Sequence, residues 1–200
     1  MIDYICASPR KEKSCCYMLL QELQKRTGEV RPIGMWDEDM GVSSADTLVL
    51  AFPLYVDGLP ASLLLALQAL PQNSYQNVYA LCNCGFYEGR QTAIAFELLE
   101  NFCGATGRIF CGGVGIGGGG LIPSLSFLPY VVHPQRKAYR ALQTLAERIK
   151  TSLPMDICYL SPTLPRWLYM AAAESSFKQP AKRRSLAALS KKNRVSRRRS

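Results

Sequence analysis

The 200-residue chain is 48% apolar, enough for one compact domain with a sizeable core. Its formal charge of +9 invites a nucleic-acid reading, but ten of the 24 basic residues fall in 178–200, which holds no acid. Residues 1–177 keep 14 bases against 15 acids, a net of −1, so the body is nearly neutral and the basicity belongs to the tail. No run approaches the roughly 18 apolar residues of a membrane-spanning helix.

In chain order, Ile2 to Ala7 reads as a strand that ends at Ser8-Pro9-Arg10. From Ser14 the apolar residues Cys15, Met18, Leu19 and Leu23 recur at helical spacing, which predicts a helix to about Arg26 with Gly28 as its stop. Val30 to Ile33 is a candidate short edge strand weakened by Pro32. Thr47 to Phe52 is almost continuously apolar, as in a parallel strand buried on both faces. A loop from Pro53 to Leu59 follows, and Pro60 can open a helix carrying Leu63, Leu64, Leu67 and Leu70. Val78 to Cys82 is the next buried strand, then comes a loop from Asn83 to Gly89 and a helix from about Arg90 to Cys103. Arg108 to Val114 reads as a fifth strand running into a glycine cluster. Pro134 starts a helix with Ala138, Leu142, Leu145 and Ile149 on one face, and Leu164 to Ala171 can form one more, packed on the body.

Strands alternating with helices imply an α/β domain, a doubly wound parallel sheet with helices on both faces. In such sheets ligands bind at the carboxyl ends of the strands, which singles out the loops 8–15, 53–59 and 83–89. The first joins a strand to a helix N-terminus, where free amides and the helix dipole favour a phosphate. Ser8 and Ser14 offer hydroxyls there and Arg10 a donor fork, although a solvated turn with a capping serine has the same composition. In the second loop two prolines and a glycine stiffen a turn that presents Leu54, Tyr55 and Val56 to a flat aromatic ligand, or simply half-bury one tyrosine.

Taken together, Ser8-Pro9-Arg10 with Ser14-Cys15, the run from Ala51 to Pro60, and Asn83-Cys84-Gly85-Phe86 resemble the flavodoxin-like NAD(P)H-dependent FMN reductases, which include quinone reductases and multimeric flavodoxins. The resemblance spans roughly residues 2–175 and implies a five-stranded sheet of order 2-1-3-4-5 in a domain over 1–177. It implies FMN as cofactor and NAD(P)H as co-substrate. Ser8, Arg10, Ser14 and Cys15 would then form the phosphate shell, Pro53, Leu54, Tyr55 and Val56 the loop facing the flavin ring, and Asn83, Gly85 and Phe86 the third flavin-side loop. Ala7 stands where the family usually has Gly, and Cys15, a weak donor, where it has Ser or Thr.

The sequence Gly115 to Gly120 matches G-x-G-x-x-G, yet Pro123 follows at once and no acid stands about 20 positions on, so the dinucleotide fingerprint is rejected in favour of a mobile loop bordering the flavin. Cys82-x-Cys84, with His133 as the single histidine, gives poor support for zinc, and His133 reads as a residue at a helix start. The eight cysteines, several in apolar runs, and the lack of a leader before the first strand predict reduced thiols in a cytoplasmic protein. The tail 178–200 has no aromatic, so a solubilising extension is preferred over a nucleic-acid or anionic-membrane contact. The function expected is therefore an FMN-dependent NAD(P)H oxidoreductase reducing a small-molecule acceptor such as a quinone or flavin, with a homodimer implied by the resemblance. The alternatives are an electron carrier or flavin-binding regulatory module acting through a protein partner, and a family member that has lost FMN.

Overall fold

The computed structural model describes residues 1–36, 43–71 and 74–174. These fall in two units, residues 1–163 and a second beginning at Leu164. In the first unit six parallel strands form one sheet: β1 (Ile2–Cys6), β2 (Gly34–Met35), β3 (Thr47–Pro53), β4 (Asn77–Asn83), β5 (Ile109–Ile116) and β6 (Cys158–Leu160). Their order is β2-β1-β3-β4-β5-β6. Between them run α1 (Cys15–Thr27), α2 (Ala61–Gln68), α3 (Ala93–Ala105), α4 (Leu121–Ser124) and α5 (Arg136–Thr151).

The period-two alternation of the strands decides which helices cover which face. Tyr4, Cys6, Val49, Ala51, Tyr79 and Leu81 pack into one core with Leu19, Leu20 and Leu23 of α1 and Leu142, Leu145 and Ile149 of α5. Ile5, Leu48, Leu50, Phe52, Val78 and Ala80 pack on the other face against Leu63 and Leu67 of α2 and Phe96 and Leu99 of α3. The sheet is thus doubly wound, as its sequence predicts. Strand order reverses between β1 and β3, whose following helices leave on opposite faces and open a crevice at the strand ends.

Three differences from expectation have local causes. The edge strand lies at Gly34–Met35, just past Val30 to Ile33, pairing Gly34 with Ile5 and Met35 with Cys6. Pro32 cannot donate to a ladder, so pairing begins beyond it. A sixth strand adds Cys158–Leu160 beside Val114–Ile116. It is three residues long, below what periodicity can register. The glycine cluster also differs, being strand in its first half: Gly112, Gly113 and Gly115 lie inside buried β5, and Gly117 to Gly119, in the turn that follows, are buried as well. A Cβ on Gly113 would stand 2.1 Å from the Ala80 carbonyl oxygen, and one on Gly115 2.2 Å from Thr92 Oγ1. Glycine here allows close approach of backbone to backbone.

In the second unit a helix covers residues 166–174, with Trp167, Leu168 and Met170 exposed. The basic tail lies outside the described residues. Among them, no helix is long and apolar enough to cross a membrane.

Candidate functional site

The first loop leaves β1 at Cys6 and makes a single 3-10 turn over Lys11–Lys13 before α1. Ser14 caps that helix: its Oγ accepts the Tyr17 N–H at 3.1 Å and donates to the Lys11 carbonyl at 2.6 Å. The Ser8 hydroxyl accepts the Arg10 N–H at 3.4 Å. Both serines are buried; the Ser14 hydroxyl both donates and accepts within the loop, whereas Ser8 Oγ accepts one loop amide. Cys15 packs against the α1/α5-side core, where burial, with Cys6 nearby, pushes its thiol up to about 12. Arg10 is exposed, and its guanidinium has no partner among the described residues. The amides of Cys15 and Cys16 open α1 ahead of any intrahelical acceptor.

The second loop is a tight reversal. Tyr55 and Gly58 exchange backbone bonds of 3.2 and 2.9 Å across Val56 and Asp57, both left-handed at φ 46° and 57°. That is the shape of a type I′ turn, and valine is a poor residue for it. The turn leaves Tyr55 half exposed and Val56 fully so.

The third loop is the one that ties the other two together. The Asn83 carbonyl accepts the Leu54 N–H at 2.9 Å, and its side-chain Oδ1 accepts the Cys16 thiol at 2.8 Å. Pro53 pairs with Asn83 at the last register position of β3 and β4. Gly85 is open, with no atom near the place of a Cβ, and Phe86 stays exposed. Cys84 is buried and its Sγ donates weakly to the carbonyls of Phe86 and Glu88 at 3.8 Å. The expected site residues of loops one, two and three are therefore brought to neighbouring strand ends, joined through Asn83. Their chemistry is uneven: Arg10, Tyr55, Val56, Gly85 and Phe86 face outward, whereas Ser8, Ser14 and Cys15 face inward.

Cys16 and Gln135 were not singled out by sequence reasoning, nor was the contact of the glycine cluster with the third loop through its backbone amides. Gly118 N–H donates to the Phe86 carbonyl and Gly119 N–H to that of Cys84, at 2.6 and 2.8 Å. Gln135, almost wholly buried, donates from Nε2 to the carbonyls of Gly117 and Gly118 at 2.7 and 2.9 Å. The glycine turn thereby braces the third loop from behind. The only available signal was the glycine run itself, whose partners Cys84, Phe86 and Gln135 are all distant in the chain. His133 is fully buried, its Nδ1 accepting the Gln135 N–H at 3.0 Å. Burial holds its pKa below the usual value, the Leu125 backbone opposing. The residue thus belongs to the turn before α5, as its position in the sequence implies. All eight cysteines are free thiols. Among the described residues no group of three or more His, Cys, Asp or Glu could hold a metal.

No protein-family model matches the sequence, and no curated protein matches it either. Solved structures do match, at low identity. The Trp repressor binding protein from Bacillus subtilis superposes with a TM-score of 0.57 at 17% identity, over 74% of this chain and 98% of that one. An NADH:FMN oxidoreductase, EMOB, in its apo form gives 0.55 at 16%, over 78% and 90%. The NAD(P)H:quinone oxidoreductase from Methanothermobacter marburgensis gives 0.52 at 11%, over 75% and 96%. The fold is the flavodoxin-like one, extended here by a sixth strand at the β5 edge.

Proposed function

We propose that the chain is an FMN-dependent NAD(P)H oxidoreductase that reduces a small acceptor such as a quinone or a free flavin. The observation that carries this reading is the lacing of the three strand-end loops through Asn83, beside the point where strand order reverses. Flavodoxin-like neighbours described as NADH:FMN and NAD(P)H:quinone oxidoreductases support it.

The residues present fit an FMN phosphate, though by a donor set narrower than the resemblance implies. The Arg10 guanidinium and the amides of Cys15 and Cys16 at the positive end of α1 are available to its oxygens, while the Ser8 and Ser14 hydroxyls shape the loop. Leu54 and Tyr55 would flank the flavin ring, and the absence of a side chain at exposed Gly85 would let the ring approach that loop closely. Bound FMN would supply the hydride chemistry, leaving the chain to orient and shield, which is why no acid–base pair is needed. The partner is a small-molecule acceptor, and a homodimer belongs to the same proposal.

The test is direct. The purified protein should be yellow, release FMN on denaturation, and oxidise NADH or NADPH when a quinone is added. A flavin-loaded protein with no turnover on either nicotinamide across several acceptors defeats the enzyme reading and leaves an electron carrier. Failure to take up FMN at all defeats both.

A further inference from the structure

α1 and α5 pack side by side on one face of the sheet, and an open groove of about 270 Å³ lies between them. Its wall is aromatic: Tyr130 stacks on Tyr139 at 4.1 Å between ring centroids, with Arg26 over the Tyr130 ring at 5.8 Å. Its charge is one-sided. Arg26 is neutralised by Glu22 at 2.8 Å, but Arg136 and Arg140, one helical turn apart on α5, have no acceptor among the described residues. Glu147, further along the same helix, is engaged by Gln143 at 3.2 Å.

The placement of these arginines is electrostatically costly. Arg136, Lys137 and Arg140 crowd the start of a 16-residue helix whose first turn holds no acid, at the pole where the dipole disfavours cations. Like charges one turn apart add to the penalty. Nothing in the fold requires guanidiniums there, because both side chains are exposed. An anion between them removes both penalties at once, and planar donor forks match phosphate oxygens better than any other common anionic group except carboxylate.

We propose that this groove binds a phosphate group, held by the guanidiniums of Arg136 and Arg140, with the Tyr130–Tyr139 stack as the apolar wall for the rest of the molecule. None of its residues belongs to the three strand-end loops, so the site is separate from the proposed flavin site and does not rest on it. The phosphate belongs to a soluble phosphate compound or to a lipid headgroup. Val131, which lines the groove, is exposed, as are Phe127 and Val132 in the same segment, and they make the second source worth its own arm of the test.

The experiment compares the full chain with an Arg136→Gln/Arg140→Gln variant, so that anion binding by the basic residues 178–200 is common to both. Thermal unfolding is followed in phosphate-free buffer and with increasing sodium pyrophosphate. The parent should be stabilised saturably, and the variant should need about tenfold or more pyrophosphate for each arginine lost. Without the anion the variant should melt at or above the parent, because the repulsion at the helix start is gone. Flotation with phosphatidylcholine vesicles, with and without phosphatidylglycerol, separates the sources: retention of the parent but not the variant assigns a lipid headgroup, and equal behaviour on vesicles with a pyrophosphate difference assigns a soluble compound. Equal responses of parent and variant to both probes, or a variant less stable than the parent without anion, overturn the proposal.

Discussion

Arg10 is the residue on which the proposed cofactor site depends most. With the Ser14 hydroxyl committed internally, the Arg10→Ala chain should bind FMN more weakly by on the order of 1–3 kcal/mol, read by quenching of flavin fluorescence. Unchanged affinity would remove Arg10 from the phosphate. Val56 is held under backbone strain. A β-branched residue at φ 46° followed by Asp57 at φ 57° is disfavoured, and Val56→Asn should raise unfolding free energy by about 1 kcal/mol in urea titrations. His133 gives a pH signature. Its folded pKa lies below the unfolded value because the buried ring must stay neutral, so the unfolded chain binds the extra proton. Stability should be unaffected above about pH 6.5 and fall as the pH drops toward the folded pKa. His133→Gln should flatten that part of the melting profile. Serine roles were the least legible in the sequence at this scale: Ser14 was equally a cap or a phosphate donor, and only the geometry of its hydroxyl, satisfied on both sides, separates the two.

Elements were legible where burial imposed a long pattern. β1, β3 and β4, predominantly apolar and packed on both faces, could be read almost to the residue, as could α1, which runs from its Ser14 cap to a left-handed Gly28 at φ 77°. Short elements were not, since a two-residue β2 and a three-residue β6 exist only through pairing with neighbours already in place. The start of α3 was also displaced, because Gly89–Thr92 form a 3-10 turn in which Thr92 Oγ1 bonds the Gly89 carbonyl at 2.7 Å. β5 is the instructive case. Glycine is a poor strand former, yet this strand lies inside the sheet because the Met155 and Ala80 backbones, the Thr92 hydroxyl and the Phe96 and Tyr159 rings crowd against it. Gly113→Ala would drive a Cβ into the Ala80 carbonyl with nowhere to relax, and should cost about 3 kcal/mol or more in denaturant unfolding. A loss well below that would mean β4 and β5 can part without penalty.

For the whole molecule, fold class and the gathering of the three loops followed from the sequence because a doubly wound sheet puts its βα loops at one edge, whatever their composition. The lacing through Asn83 did not, since it joins Cys16, Leu54 and Asn83 across up to 67 residues of chain. Charge is distributed as unevenly as chemistry. Deleting residues 179–200 should leave the melting temperature and flavin binding of the body unchanged while bringing its net charge near zero, and solubility around neutral pH should fall with it. A large drop in melting temperature would make the tail structural. The glycines of β5 have one more consequence, for the order in which the sheet comes apart. Such a strand gives up most backbone entropy on ordering and brings few side chains of its own, so its place is secured by neighbours. β5 and the short β6 should therefore open together as a separate cooperative unit, and their amides should exchange with deuterium well before those of β3, whose Thr47–Phe52 run is buried throughout.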